Sequence, residues 1–144
     1  MKFNWIFFLV LVLIACKRKD RFSSVEILGH AGSGLTNSTN PYHDNSLESI
    51  QYAMQFDEVN GVEIDIQISA DTTAWLMHDM QLSIETNGSG CVSQSTDAYL
   101  ASLRYKTLEK ERLLRLKDVP NLFSGKHLIL DLRGRDGCDN LPVP

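Results

Sequence analysis

The sequence predicts an α/β domain built on a parallel sheet. Two observations carry this: residues 25–68 read strand, helix, strand in that order, and chemistry-bearing residues fall at the ends of the candidate strands. A strand, helix, strand unit lays its two strands parallel. In such sheets ligands bind beyond the carboxyl ends of the strands.

The first strand is "VEILGHAG", a short apolar run entering a glycine loop, followed by a long polar connection, "GSGLTNSTNPYH". "NSLESIQYAMQF" predicts an amphipathic helix: Asn45 stands at the N-cap, Glu48 follows three residues on as in a capping box, and Leu47, Ile50, Ala53 and Met54 recur at helical spacing. "GVEIDIQIS" predicts the second strand, with Val62, Ile64, Ile66 and Ile68 on one face and Glu63, Asp65, Gln67 and Ser69 on the other. Residues two apart on a strand are separated by about 6 to 7 Å, so Glu63 and Asp65 can reach one cation. The alternative is an ordinary half-exposed strand with its polar face in water.

"SADT" then links to a second apolar run, "TAWLM", ending at His78 and Asp79. Four residues cannot hold a crossover helix, so the strict alternation of strand and helix is expected to break here. "STDAYLASL" predicts a helix capped by Ser95 or Thr96, and "TLEKERLLRLKDVPNLF" has helical periodicity until Pro120. "KHLILDLRG" is the last strand, with Leu128, Leu130 and Leu132 on one face and Ile129, Asp131 and Arg133 on the other. No internal repeat is visible, and the tail "DGCDNLPVP" reads as unstructured.

Lys2 followed by "WIFFLVLVLIA" is too short to span a bilayer, which takes about 20 apolar residues, and reads as a secretory signal over residues 1–15. "LIAC" resembles a bacterial lipobox, which would make Cys16 the lipidated first residue of the mature protein and residues 16–24 its tether. The basic run "KRKDR" would lie against anionic headgroups. The remaining domain, 25–144, is mildly acidic in a chain of net charge -4, which excludes nucleic acid as a partner on charge grounds. Cys91 and Cys138 can pair in an oxidising compartment, but their spacing gives no geometry, and the absence of a CxxC argues against a metal site built from them.

Four polar groups thus come to strand ends: His30, Glu63 with Asp65, His78 with Asp79, and Asp131 with Arg133. Read alone, each has an ordinary explanation as a loop histidine, a wet face, a cap or an ion pair. In order, "GHAG", "DNSLESI", "GVEIDIQIS", "HD" and "ETNGSG" resemble the glycerophosphodiester phosphodiesterase family from about Val25 to Arg133. The resemblance implies an irregular TIM (β/α) barrel, of which this chain would be the N-terminal portion, since a whole barrel takes roughly 200 residues or more. Such a portion is expected to expose a strand edge and to self-associate or meet the missing C-terminal half.

The resemblance further implies metal-dependent hydrolysis of a glycerophosphodiester substrate to glycerol 3-phosphate and an alcohol. Glu63, Asp65 and Asp131 would hold a divalent cation, Ca²⁺ or Mg²⁺, since hard oxygen ligands suit hard cations. His30 and His78 would be the acid/base pair, and the substrate's own glycerol hydroxyl would attack first to give a cyclic phosphate. Asn45 and Arg133 would bind substrate, with Asn45 positioning the site near His30 and Asp79 steadying His78. The chain departs from the family pattern in three places: Ala31 stands where the family has arginine, Asp44 where glutamate is usual, and Asp131 and Arg133 where a glutamate and a lysine are typical. Two other functions follow from these departures and from related barrels: a non-catalytic lipoprotein that binds metal or phosphoester, and a phospholipase D-type barrel acting on sphingomyelin or lysophospholipid. The implied location is the bacterial cell envelope, lipid-anchored.

Overall fold

The computed structural model describes residues 25–34, 40–119, 123, 125–134 and 138. The expected signal peptide, the expected lipidation site Cys16 and its tether lie outside these residues, as does nearly all of the tail. Among the described residues no helix is long and apolar enough to cross a membrane.

The central strand is β2 (Val59–Ile68), and β1 (Ile27–Gly29) and β5 (His127–Leu132) both pair with it in parallel. β3 (Ala74–Leu76) folds back on the end of β2 as an antiparallel partner, and β4 (Leu114–Arg115) pairs antiparallel with β3. The short "SADT" link therefore makes a hairpin where a regular barrel would have a crossover helix, as its length requires. Between β1 and β2 runs α1 (Leu47–Met54), completing the expected βαβ unit, while α2 (Leu82–Glu85) and α3 (Asp97–Ser102) follow β3.

The apolar face of β2 builds the first core. Val62, Ile64 and Ile66 pack with Ile50 and Ala53 of α1, with Leu76 and with Val119. A second cluster, centred on Trp75, Met77, Leu82, Leu100 and Tyr105, covers the other end of the hairpin. The polar face of β2 is not a wet face: Asp65 is 0% and Gln67 5% exposed. Both faces of this strand are covered, which removes the half-exposed alternative. Gly61 is required by the close approach of β5, because a Cβ there would collide with the carbonyl of His127.

Two local expectations are corrected. The N-cap of α1 is Ser46, whose hydroxyl accepts the Ser49 amide at 3.0 Å, and not Asn45, whose side chain is used elsewhere. The periodic segment from Thr107 is no helix. Lys110 takes a positive φ of 50°, the Tyr105 amide donates to the Glu111 carbonyl at 3.0 Å, and the chain then runs into β4 and a single 3₁₀ turn at Leu116–Asp118. Pairing with β3 and burial of Leu113 override a helical propensity that is only a weak prior. Of the two candidate caps for α3, Thr96 serves, its hydroxyl accepting the Tyr99 amide.

Cys91 and Cys138 form a disulfide across 47 residues, tying the tail beyond β5 to the segment after α2. β5 itself is largely exposed, with Leu130 47% and Leu132 67% accessible. Beside it lies an open apolar cleft of about 700 Å³, lined among others by Val119, Phe123, Leu128 and Leu130.

Candidate active site at the strand ends

Parallel pairing brings the acidic residues together. Asp65 and Asp131 are direct partners in the register of β2 and β5, and Glu63 lies two residues before Asp65 on the same face. Carboxylate oxygens of all three lie within 4.8 Å of one another. Exposure falls steeply across the group: the side chain of Asp131 is 50%, that of Glu63 19% and that of Asp65 0% accessible.

Asp65 and Glu63 are each oriented by specific donors. Asn45 sits at φ 59°, and this left-handed turn aims its amide at β2: Nδ2 donates to Asp65 Oδ2 at 2.8 Å, and the Asp65 amide donates to Asn45 Oδ1 at 2.9 Å. Asn45 thus spends its side chain on Asp65, which positions the site; the substrate contact expected of it does not follow from this geometry. Arg133, just past β5, donates from Nε to Asp65 Oδ1 at 2.7 Å, and the same nitrogen is 3.4 Å from Asp131 Oδ2. Partial burial alone would favour loss of its proton, but the hydrogen bond and charge of Asp65 outweigh this and hold the guanidinium more firmly charged than usual.

His30 follows β1, and its Nδ1 is 3.1 Å from Glu63 Oε2, which also accepts the Ala31 amide at 3.0 Å. Ala31 is fully buried at φ 49°, and its carbonyl accepts the Asn45 amide at 2.8 Å, so the position of the family arginine is here a tight backbone junction between β1, β2 and α1. His78 lies after β3 with Nδ1 3.0 Å from Asp79 Oδ1. The loop that carries it is clamped to β2 by Gln67, whose Nε2 lies within hydrogen-bonding distance of the carbonyls of Met77 (3.1 Å), His78 (3.2 Å) and Asp79 (2.8 Å). Sequence reasoning missed this clamp, although the signal was present: Gln67 continues the face of Glu63 and Asp65. Glu85, at the end of α2, was also missed. Its Oε1 accepts the Asp79 amide at 3.2 Å.

The profile of the glycerophosphoryl diester phosphodiesterase family matches residues 30–132. The chain belongs to this family. Comparison with curated proteins gives no match. Among solved structures of the family, a glycerophosphoryl diester phosphodiesterase from Parabacteroides distasonis is 30% identical, with a TM-score of 0.61 over 77% of this chain and 38% of that one. A phosphodiesterase from Oleispira antarctica, solved in complex with the product sn-glycerol-3-phosphate, is also 30% identical, with a TM-score of 0.64 over 75% of this chain and 44% of that one. A glycerophosphodiester phosphodiesterase from Agrobacterium tumefaciens shares the fold at 23% identity and a TM-score of 0.64, over 74% of this chain and 46% of that one. The chain therefore spans less than half the length of these relatives, and its parallel strands β1, β2 and β5 are part of the family's TIM barrel.

The site fits the divalent cation that enzymes of this family use. Its donors are carboxylate oxygens, three of them converge, and the one guanidinium among them leaves two negative charges uncompensated. A second acidic group, His78, Asp79 and Glu85, also lies within 4.8 Å. It is a poorer cation site, because Nδ1 of His78 is committed to Asp79, and burial together with the charges of Asp44 and Asp79 pushes the pKa of Glu85 up from 4.5 to about 8.

Proposed function

We propose that this chain carries the catalytic constellation of a metal-dependent phosphodiesterase that hydrolyses glycerophosphodiesters to glycerol 3-phosphate and an alcohol. The observation that carries the reading is the convergence of Glu63, Asp65 and Asp131 with His30 held on Glu63. The three carboxylates would hold Ca²⁺ or Mg²⁺, which when bound supplies charge stabilisation to a phosphodiester oxygen.

The chain's own residues move the protons. His30 and His78 each have Nδ1 tied to a carboxylate, which leaves Nε2 for the substrate. One takes the proton of the glycerol hydroxyl as its oxygen bonds to phosphorus; the other protonates the leaving alcohol as its bond to phosphorus breaks. Water then opens the cyclic phosphate with the two roles exchanged. Arg133, the guanidinium closest to the carboxylates in this arrangement, would bind the phosphate that the arginine replaced by Ala31 would otherwise serve. Cys16 would anchor the protein by lipid at the bacterial cell envelope, and the exposed β5 would associate with a second copy or with the rest of a barrel.

The full chain incubated with glycerophosphocholine and Mg²⁺ or Ca²⁺ should release glycerol 3-phosphate, and chelation should stop it. Hydrolysis of micellar sphingomyelin or lysophospholipid, with the soluble diester untouched, would transfer the site to the phospholipase D-type reaction. A second reading is favoured by Ala31: a non-catalytic, metal- or phosphoester-binding lipoprotein. Saturable metal binding without turnover of either substrate would establish it.

A further inference from the structure

Glu85 is a carboxyl group to which the proposed chemistry gives no role. Its backbone is fixed from both sides: Lys106 donates its amide to the Glu85 carbonyl at 2.8 Å, and the turn of α2 closes through the Thr86 amide and hydroxyl on the Leu82 carbonyl. One oxygen, Oε1, accepts the amide of Asp79. The other, Oε2, is buried and has no hydrogen-bond partner among the described residues. Asp44, beside His43, faces it from the loop before α1; Asp79 and His78 face it from the loop after β3; and the buried phenol of Tyr105, whose hydroxyl donates to the Leu76 carbonyl, faces it from the segment after α3. Lys106, on the neighbouring segment, carries a cationic Nζ that donates to the Ser83 carbonyl.

We propose that Glu85 is the positioning residue of the His78–Asp79 pair: by holding Asp79 against Nδ1 of His78 it decides which imidazole nitrogen is offered to a substrate. This rests on the reading of His78 as an acid/base group. The chemistry follows from the charge balance. A second carboxylate beside Asp79, with Asp44 also near, would repel Asp79 from the imidazole. Burial and those two charges keep Glu85 protonated until about pH 8, so at neutral pH it is a carboxylic acid that can donate to Asp79 while its Oε1 takes the Asp79 amide. Asp79 then stays against Nδ1 of His78, and the tautomer with the proton on Nδ1 is favoured. Ionisation of Glu85 adds this repulsion.

The test is a long-range proton–nitrogen correlation of the His78 ring in the ¹⁵N-labelled full chain, followed from about pH 6 to pH 10, in the wild type, Glu85→Gln and Glu85→Ala. The wild type is expected to show the Nδ1-protonated tautomer with a second inflection near pH 8, the value to which Glu85 is raised. Glu85→Gln keeps both hydrogen-bonding groups and cannot ionise, so the tautomer should persist and the inflection vanish. Glu85→Ala should lose the tautomer preference. An unchanged inflection in Glu85→Gln, or a wild-type tautomer in Glu85→Ala, would overturn the proposal. Should the alanine variant not fold, the glutamine comparison decides alone. Failure of the phosphodiesterase reading shows separately, as absence of turnover in a wild-type chain whose His78 still reports the ionisation of Glu85.

Discussion

Asp65 and Arg133, 68 residues apart, form an ion pair in which one partner is fully buried and the other is about one-third exposed, Nε donating to Oδ1 at 2.7 Å. The guanidinium occupies the acidic pocket as a counter-charge that a divalent cation would share. Replacing Arg133 by Met strands the Asp65 carboxylate. Breaking a fully buried pair costs about 3 to 5 kcal/mol, and the partial exposure of Arg133 should bring this to roughly 1 to 3. The melting temperature without metal should fall accordingly, and Mg²⁺ or Ca²⁺ should raise it more in the variant than in the wild type. An equal fall with and without metal would show that the guanidinium and the cation do not share the site.

His30→Ala and His78→Ala are expected to lower turnover by about 10²-fold or more, the usual scale for losing an acid or base, with metal binding nearly unchanged. Glu63→Gln is expected to act in the opposite order, weakening metal affinity first. In the wild type a cation at about 100 times its dissociation constant should add about 2.7 kcal/mol of stability, and this increment should shrink in Glu63→Gln. Titration calorimetry alongside the assay separates the two classes; a histidine variant that loses the metal would reverse the assigned roles.

Stability should respond to pH in two opposed ways. Burial would raise the pKa of Glu111, but hydrogen bonds from the Thr107 hydroxyl and the His43 amide outweigh it and leave it below 4.5; hydrogen bonds from Thr73 and Trp75 likewise hold Asp97 below 3.8. The native state binds fewer protons than the unfolded chain at these groups. Their stabilisation is full above the ordinary values and is lost as pH falls through the lowered ones. Glu85 works the other way: protonated in the native state and ionised in the unfolded chain, it makes stability fall as pH rises from about 4.5 to about 8. Thermal melts across this range should therefore decline for the wild type and be flatter for Glu85→Gln. A parallel decline in both would place the loss elsewhere.

The Cys91–Cys138 bridge closes a 47-residue span, for which loop-closure entropy gives about 4 kcal/mol. Cys138→Ser or a reducing agent should lower the unfolding free energy on that scale, measured by denaturant titration. A reduced chain as stable as the oxidised one would show that the tail contributes nothing to holding β5.

By itself the sequence determined the elements whose periodicity matches their environment. The βαβ unit, the faces of β2 and β5, the hairpin forced by a four-residue link and a cap of α3 at Ser95 or Thr96 are all local patterns. It also determined which residue types stand at the strand ends, and their order carried the family resemblance. Tertiary structure decided what depends on partners far along the chain. Residues 107–119 have helical spacing, yet Leu114 and Arg115 pair with β3 and Leu113 beside them is buried. Asn45 reads as an N-cap until Asp65, 20 residues on, takes its amide and leaves the cap to Ser46. The polar face of β2 reads as wet until Asn45, Arg133 and the loop after β3 cover it, and a carboxyl group at the end of a four-residue helix keeps its proton through burial and through the charges of Asp44 and Asp79 folded against it. Local periodicity reports the preference of a segment; hydrogen bonding and burial between distant segments decide where preference yields.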